Sequence, residues 1–253
     1  MGVHEVVEAS SADMRATGTV GQVGSRQRVA STVPGRALVV QDRNLAAGGA
    51  LLDSLRARAL EPEILRIDRN TPLPEPELLD MAIVVGTARV SGSDAPAWLE
   101  REIDWLRRAD RAGTAVLALG SAAQALAIAL GGAVHRLPQT RRAWTRVTTE
   151  APKRIAVGPW LAWEDDRIVL PPGAELLAHD HVGPQAFAVN EHLAVQFHPE
   201  ATPEIVPDWV LTSEEVLDFQ GIMEATWRDF PVASVAARRL FAGFVDSLVD
   251  DHR

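Results

Sequence analysis

Three residues, His198, Pro199 and Glu200, put an imidazole and a carboxylate side by side in the chain. A histidine needs only an orienting carboxylate to act as a general base near neutral pH. What such a pair acts upon depends on its neighbours. One hydroxyl candidate is Ser121, which follows the apolar run Ala115 to Leu119 and Gly120 and precedes a helix-forming stretch, the local pattern of a strand running into a sharp turn that presents a nucleophile. Gly120, just before it at the turn, has no side chain. A second cluster, His179-Asp180-His181, holds metal-ligand residue types and could in principle join His198 and Glu200. Strand alternation would put His179 and His181 on one face and Asp180 on the other, and a hairpin with solvated polar residues is the expected reading; no metal and no cofactor are implied. Glu164-Asp165-Asp166 reads as a turn, with Glu164 able to face the pocket.

The chain has 253 residues, 47% of them hydrophobic, and zero cysteines. Disulfides, thiolate metal sites and cysteine nucleophiles are thereby excluded. A net charge of -9 without a basic block lacks the electrostatic footprint of a nucleic-acid binder, and acidic membrane surfaces are equally poor partners. Neither a signal peptide nor an 18-residue apolar run is visible, so the expected address is the cytoplasm.

The elements that must position these residues follow from periodicity. Residues 1–34 mix Ser, Thr, Gly and charge without a period and read as a flexible leader. Strands are expected at Ala37–Gln41, Glu63–Ile67, Met81–Val85 and Ala115–Leu119, with helices over Ala46–Ala59 and Ala97–Ala112, the latter stopping at Gly113. Continuous apolar strands alternating with helices argue for a mostly parallel sheet covered on both faces. After Gly132 the chain breaks into short segments, Trp144–Thr148, Ile155–Val157, Arg167–Leu170, Glu175–Ala178, Ala186–Val189 and Leu193–Phe197, which read as an antiparallel, hairpin-rich half. The tail from Ser213 to Val249 reads as helical, with Val235, Leu240, Phe241, Phe244, Val245 and Leu248 on its apolar face. The organisation expected is a leader (1–34), an α/β domain (35–212) and a helical extension (213–253) packed on that domain.

Over Ala37 to Val210 the chain resembles the class I glutamine amidotransferases, in their GMP-synthase-like branch. The run Ala115 to Val134 is similar to the family's G-x-C-x-G-x-Q turn, apolar helix and Gly-Gly; aligned on Gln124 and Gly131-Gly132, the family cysteine falls on Gly120 and its glycines on Ala118 and Ala122. Trp163-Glu164-Asp165-Asp166 and Leu170 to Ala178 resemble the W-H-x-D and L-P-x-G-A-x-x-L-A blocks. Gln185-Ala186-Phe187 resembles Q-A-F, Gln196-Phe197-His198-Pro199-Glu200 resembles the Q-F-H-P-E that carries the catalytic His and Glu, and Trp209 follows where that branch often has a tryptophan.

The resemblance implies a three-layer, flavodoxin-like α/β domain. In the family a Cys thiolate attacks the glutamine side-chain amide, a His manages protons, a Glu orients the His, and backbone N–H groups hold the oxyanion. Here His198 and Glu200 match, whereas the nucleophile is Gly120, the oxyanion Gly-Gly is Gly86-Thr87, and the histidine of W-H-x-D is Glu164. Several departures together are the pattern of natural divergence. The implied pocket comprises Gly86, Thr87, Ser121, Gln124 and Glu164 around His198 and Glu200.

The expected protein is therefore no working glutaminase; its pocket serves a small amide, amino-acid or carboxylate ligand, with His198 and Glu200 as a proton-handling pair. Two alternatives stand beside this reading. One is a Ser-His-Glu hydrolase or acyl transferase using Ser121, which sits one residue past the nucleophile position; otherwise Ser121 is a turn residue or a cap for the next helix. The other is a noncatalytic regulatory subunit docking a synthetase-type partner. The partners expected are thus a small-molecule ligand and either a synthetase-type protein or a second copy of the chain. The seven tryptophans are expected mostly in packing roles, and Arg141-Arg142 as a solvated pair rather than an anion clamp at the pocket mouth.

Overall fold

The computed structural model describes residues 36–42, 50–93 and 95–250. The leader expected over 1–34 lies outside them, as does the expected start of the first helix before residue 50. The apolar runs become strands: β1 (Ala37–Gln41), β2 (Glu63–Arg66), β3 (Met81–Gly86) and β4 (Ala115–Gly120). Every residue of β1, β3 and β4 is buried, as a parallel strand covered on both faces requires. Helix α1 (Ala50–Arg56) follows β1, α2 (Leu99–Ala112) joins β3 to β4, and α3 (Ser121–Ala129) leaves β4 directly. Helix α3 buries Ser121 through Ala127 without a break, consistent with a sequence that is apolar on all sides.

The second half contains β5 (Ala133–Thr145), β6 (Thr148–Thr149), β7 (Trp160–Val169), β8 (Glu175–His179), β9 (Pro184–Val189) and β10 (His192–Val195), then α4 (Val206–Leu211) and α5 (Phe219–Asp250). The main sheet has the order β2-β1-β3-β4-β10-β9-β8-β6. Its first five strands are parallel and the rest antiparallel. Alternate residues feed two cores. Val39, Ile83, Leu117 and Val195 pack with α1, α4 and α5 on one face, and Leu38, Val84, Val116 and Ala118 with α2 and α3 on the other. This is the three-layer α/β architecture with a mostly parallel sheet that the sequence predicts.

Four local expectations need correcting. β5 and β7 form a separate antiparallel ribbon far longer than the short segments expected, with a register shift between Arg136 and Arg141. Charged and proline residues in β5 hid it, because a ribbon largely exposed on one strand need not read as apolar. Glu164-Asp165-Asp166 is the buried interior of β7 rather than a turn. Ile155-Ala156-Val157 is a connection rather than a strand, although Ile155 is fully buried. Finally, α5 begins at Phe219 and leaves Val235 44% exposed, whereas Leu240, Phe241, Phe244 and Val245 are buried as expected.

Candidate functional site

The carboxyl ends of β3 and β4 and the residues just after β10 converge at one edge of the parallel sheet, the place where open α/β sheets put their ligands. Gly86 ends β3, Gly120 ends β4 in register with it, and Gln196 to Glu200 follow β10. Gly120 has φ 63° and ψ -129° and leads straight into α3. That combination strains any residue with a Cβ, and it turns the chain sharply at the top of β4.

His198 is placed by a backbone hydrogen bond from its N–H to the Leu161 carbonyl (2.9 Å), which ties it to β7. Its Nδ1 lies 2.6 Å from Glu200 Oε1, and both side chains are buried. With Glu200 ionised, Nδ1–H is the donor and the neutral ring carries its lone pair on Nε2. That atom is buried and has no hydrogen-bond partner among the described residues. Trp209 of α4 packs edge-on against the imidazole at 4.8 Å, and its own Nε1 is also buried without a partner among the described residues. Trp163 in turn meets Trp209 edge-on at 5.6 Å, and Trp160 stacks on Phe197 at 4.5 Å, so these tryptophans build the wall behind the dyad.

The imidazole leans against Gly120. A Cβ built on Gly120 would overlap His198 Cε1 and the Gly86 carbonyl oxygen and lie 2.7 Å from His198 Nε2. The neighbouring hydroxyl points elsewhere. A Cβ on Gly86 would overlap Ser121 Oγ, so this hydroxyl sits over Gly86 on the β3 side and is not hydrogen-bonded to His198 Nε2. The N-cap position of α3 is Gly120, which has no side chain to cap the helix, and Ser121 is the first helical residue.

The turn after β3 is held by a carboxylate that no local sequence pattern places there. Asp42 Oδ2 accepts the N–H groups of Thr87 (2.7 Å) and Ala88 (2.8 Å), and the Thr87 hydroxyl also reaches Asp42. These backbone donors are therefore bound to an internal anion. Only the pairing of β1 with β3 brings residues 42 and 87 together. The field of Asp42 also reaches α2: burial, and then the nearby Asp42 charge, pushes the Glu102 carboxyl up to about 8.

Glu164 of β7 lies in a buried polar cluster. Glu164 pairs with Arg141 and accepts from the side-chain amides of Gln196 and Gln185, the latter at 3.3 Å. Arg141 also holds Asp180 at 2.5 Å, and Asp180 Oδ1 accepts from the N–H groups of Val182 and Gly183 in the β8–β9 turn. Burial pushes the Glu164 carboxyl up, outweighing the pull of Arg141 and the two amides. Gln124 reaches from α3 to donate to the Asp166 carbonyl at 3.2 Å, and Gln196 donates to the same oxygen at 2.7 Å. The Asp166 carboxylate holds the backbone N–H of Ser91 at 3.2 Å.

Arg142, expected to be solvated, is instead half-buried and paired: it spans Asp165 and Glu215, each at 3.0 Å, and lies 5.0 Å from the Trp163 ring. His179 stands 3.3 Å from Glu150, which follows the neighbouring strand β6. No group of three or more potential metal ligands occurs among the described residues. No helix among them is long and apolar enough to cross a membrane.

Solved structures of glutamine amidotransferases share this fold. A glutamine amidotransferase from Methylobacillus flagellatus superposes with a TM-score of 0.74 at 20% identity, covering 85% of this chain and 95% of its own. One from Thermotoga maritima gives 0.72 at 19% identity, covering 84% and 99%. A Thermoplasma acidophilum protein assigned to GMP synthase, as one of its subunits, gives 0.56 at 19% identity, covering 86% and 97%. No protein-family model and no curated protein matches the chain. At these identities the likeness defines the fold: an α/β, class I amidotransferase-like domain with a mostly parallel central sheet.

Proposed function

We propose that this protein is amidotransferase-like in fold but has lost the glutaminase reaction, and that it binds a small amide, amino-acid or carboxylate ligand without forming a covalent bond to it. The observation that carries this reading is the His198–Glu200 dyad, intact at 2.6 Å beside a residue with no side chain. The thioester route needs a thiolate at position 120, and the chain has no cysteine at any position. What remains is an imidazole nitrogen able to accept a hydrogen bond or a proton from a bound polar group, with Glu200 steadying the charge that results. The buried polar atoms nearby, including Trp209 Nε1 and the side-chain oxygens of Gln185 and Gln196, have no partner among the described residues and offer further recognition points.

The test combines ligand-induced thermal shifts with an ammonia assay. Glutamine, glutamate, asparagine and small dicarboxylates are screened against wild type and His198→Gln. At least one compound should stabilise the wild type and fail with the variant, while no ammonia appears from glutamine. Equal shifts in both proteins, or glutamine turnover by the wild type, would overturn the reading.

A Ser-His-Glu hydrolase using Ser121 draws no support from the geometry, because its Oγ sits over Gly86; an acyl-ester substrate cleaved by wild type but not by Ser121→Ala would revive it. A regulatory subunit docked on a synthetase-type protein is the second reading. It is favoured by the missing nucleophile together with the likeness to the Thermoplasma acidophilum protein. Ligand binding lost in His198→Gln by a protein that purifies alone would count against it.

A further inference from the structure

The last helix carries a feature that the ligand site does not use. Its inner face buries Thr226, Ala233, Ala237, Leu240, Phe241, Phe244 and Val245, and it is fastened by Arg58 to Asp246 (2.6 Å) and by Trp144 Nε1 to Thr226 (3.0 Å). The outer face carries exposed apolar residues among charges such as Arg228 and Arg239. Glu224, Trp227, Pro231, Val235 and Arg238, spaced by three or four residues, form one exposed stripe, with Trp227 63% exposed, and Val232, 58% exposed, flanks it next to Pro231. A tryptophan and two valines in one patch mark an interaction surface rather than a chance exposure.

The order of residues along the stripe identifies what covers it. Glu224 lies seven residues before Pro231 and Arg238 seven after, while Trp227 and Val235 lie four before and four after. An antiparallel copy of the helix, related by a two-fold axis at Pro231, therefore sets each Glu224 against an Arg238 and each Trp227 against a Val235. Within its own helix Glu224 accepts from the neutral amide of Gln220, at 3.0 Å, and its exposed carboxylate is open to a cation from outside. Isologous contacts demand this kind of self-complementarity: the same patch must satisfy itself when reversed. Centred on Pro231, the two helices overlap over residues 219–243, about 38 Å at 1.5 Å per residue, which supplies part of the roughly 800 Å² per partner that a stable interface buries.

We infer that the exposed stripe of α5 is a homodimer interface, closed by an antiparallel α5–α5 contact about Pro231 with two reciprocal Glu224–Arg238 ion pairs. The contact uses no residue of the His198 site.

The test is sedimentation equilibrium of the full-length protein across a concentration series. The wild type should sediment at twice its 27.3 kDa. Glu224→Arg alone and Arg238→Glu alone should each weaken the dimer ten-fold or more by setting like charges opposite one another, and Trp227→Ala should weaken it further. Mixing the two single charge variants, or combining them in one chain, should restore association, because unlike charges then face one another again. Circular dichroism of each variant should match the wild type, since all three positions face solvent. A wild type that stays monomeric at 100 µM overturns the proposal and leaves the face to a different protein. So does a dimer that survives both single reversals, or single-variant defects that neither mixing nor the double reversal repairs.

Discussion

The imidazole of His198 stands where a side chain on Gly120 would begin. A Cβ there would lie 2.7 Å from His198 Nε2 and overlap Cε1, and the Gly86 carbonyl closes the other side. The space that a nucleophile at this position needs is closed, so supplying a thiol does not supply the site. Gly120→Cys is expected to gain neither ammonia release from glutamine nor a covalent adduct with glutamine-analogue electrophiles. It should also cost about 2–4 kcal/mol in denaturant unfolding, from overlap and from a side chain at positive φ. A Gly120→Cys protein with wild-type stability and glutaminase turnover would contradict the geometry.

Gly86 is held by a different contact. Its missing Cβ would overlap Ser121 Oγ and come within 2.9 Å of the Ala122 backbone nitrogen. Gly86→Ala should therefore destabilise the protein by about 1–3 kcal/mol. In Gly86→Ala/Ser121→Ala the hydroxyl is gone and only the backbone contact remains, so the double variant should be more stable than the sum of the single effects. Strict additivity in urea unfolding would show that Ser121 is not the obstacle.

How far these contacts could be read from the chain depended on their range. The strand, turn and helix from Ala115 to Ala129 were legible because burial on both faces writes an unbroken apolar run, and Gly120 marked the turn. The proximity of His198 and Glu200 followed from their spacing. The ribbon of β5 and β7 was not legible, since half of it faces solvent and its charges serve partners far away in sequence: Arg141 meets Asp180, and Arg142 meets Glu215. Glu164 read as a turn residue because a carboxylate in a strand core makes sense only once Arg141, Gln185 and Gln196 are in place around it. Asp42 was missed for the same reason, its partners lying 45 and 46 residues on.

That cluster predicts an asymmetry between breaking and replacing a buried ion pair. Arg141→Met strands the Glu164 carboxylate beside Asp180 and should cost about 3 kcal/mol or more. Adding Glu164→Gln removes the stranded charge while keeping most of the shape, so Arg141→Met/Glu164→Gln should recover a large part of the loss. Chemical denaturation of the four proteins in the cycle measures the coupling, and a value near zero would mean that Arg141 does not support Glu164.

Glu102 gives the last prediction, and its sign follows from linkage. The carboxyl is raised from the ordinary glutamate value of 4.5 to about 8 in the folded protein, first by burial and then by Asp42. Below the unfolded value both states hold the proton. Between about 4.5 and about 8 the folded protein keeps it and the unfolded chain does not, so the contribution of Glu102 to stability falls as pH rises through this window, by about 1.4 kcal/mol per pH unit at the limit. Above it the folded protein carries a buried carboxylate facing Asp42. Glu102→Gln removes the titration and should flatten the stability profile between pH 5 and 8 relative to wild type. The variant should match the wild type near pH 5 and exceed it at pH 8.5. Parallel profiles for the two proteins, measured by urea unfolding across that range, would show that Glu102 does not hold a proton in the fold.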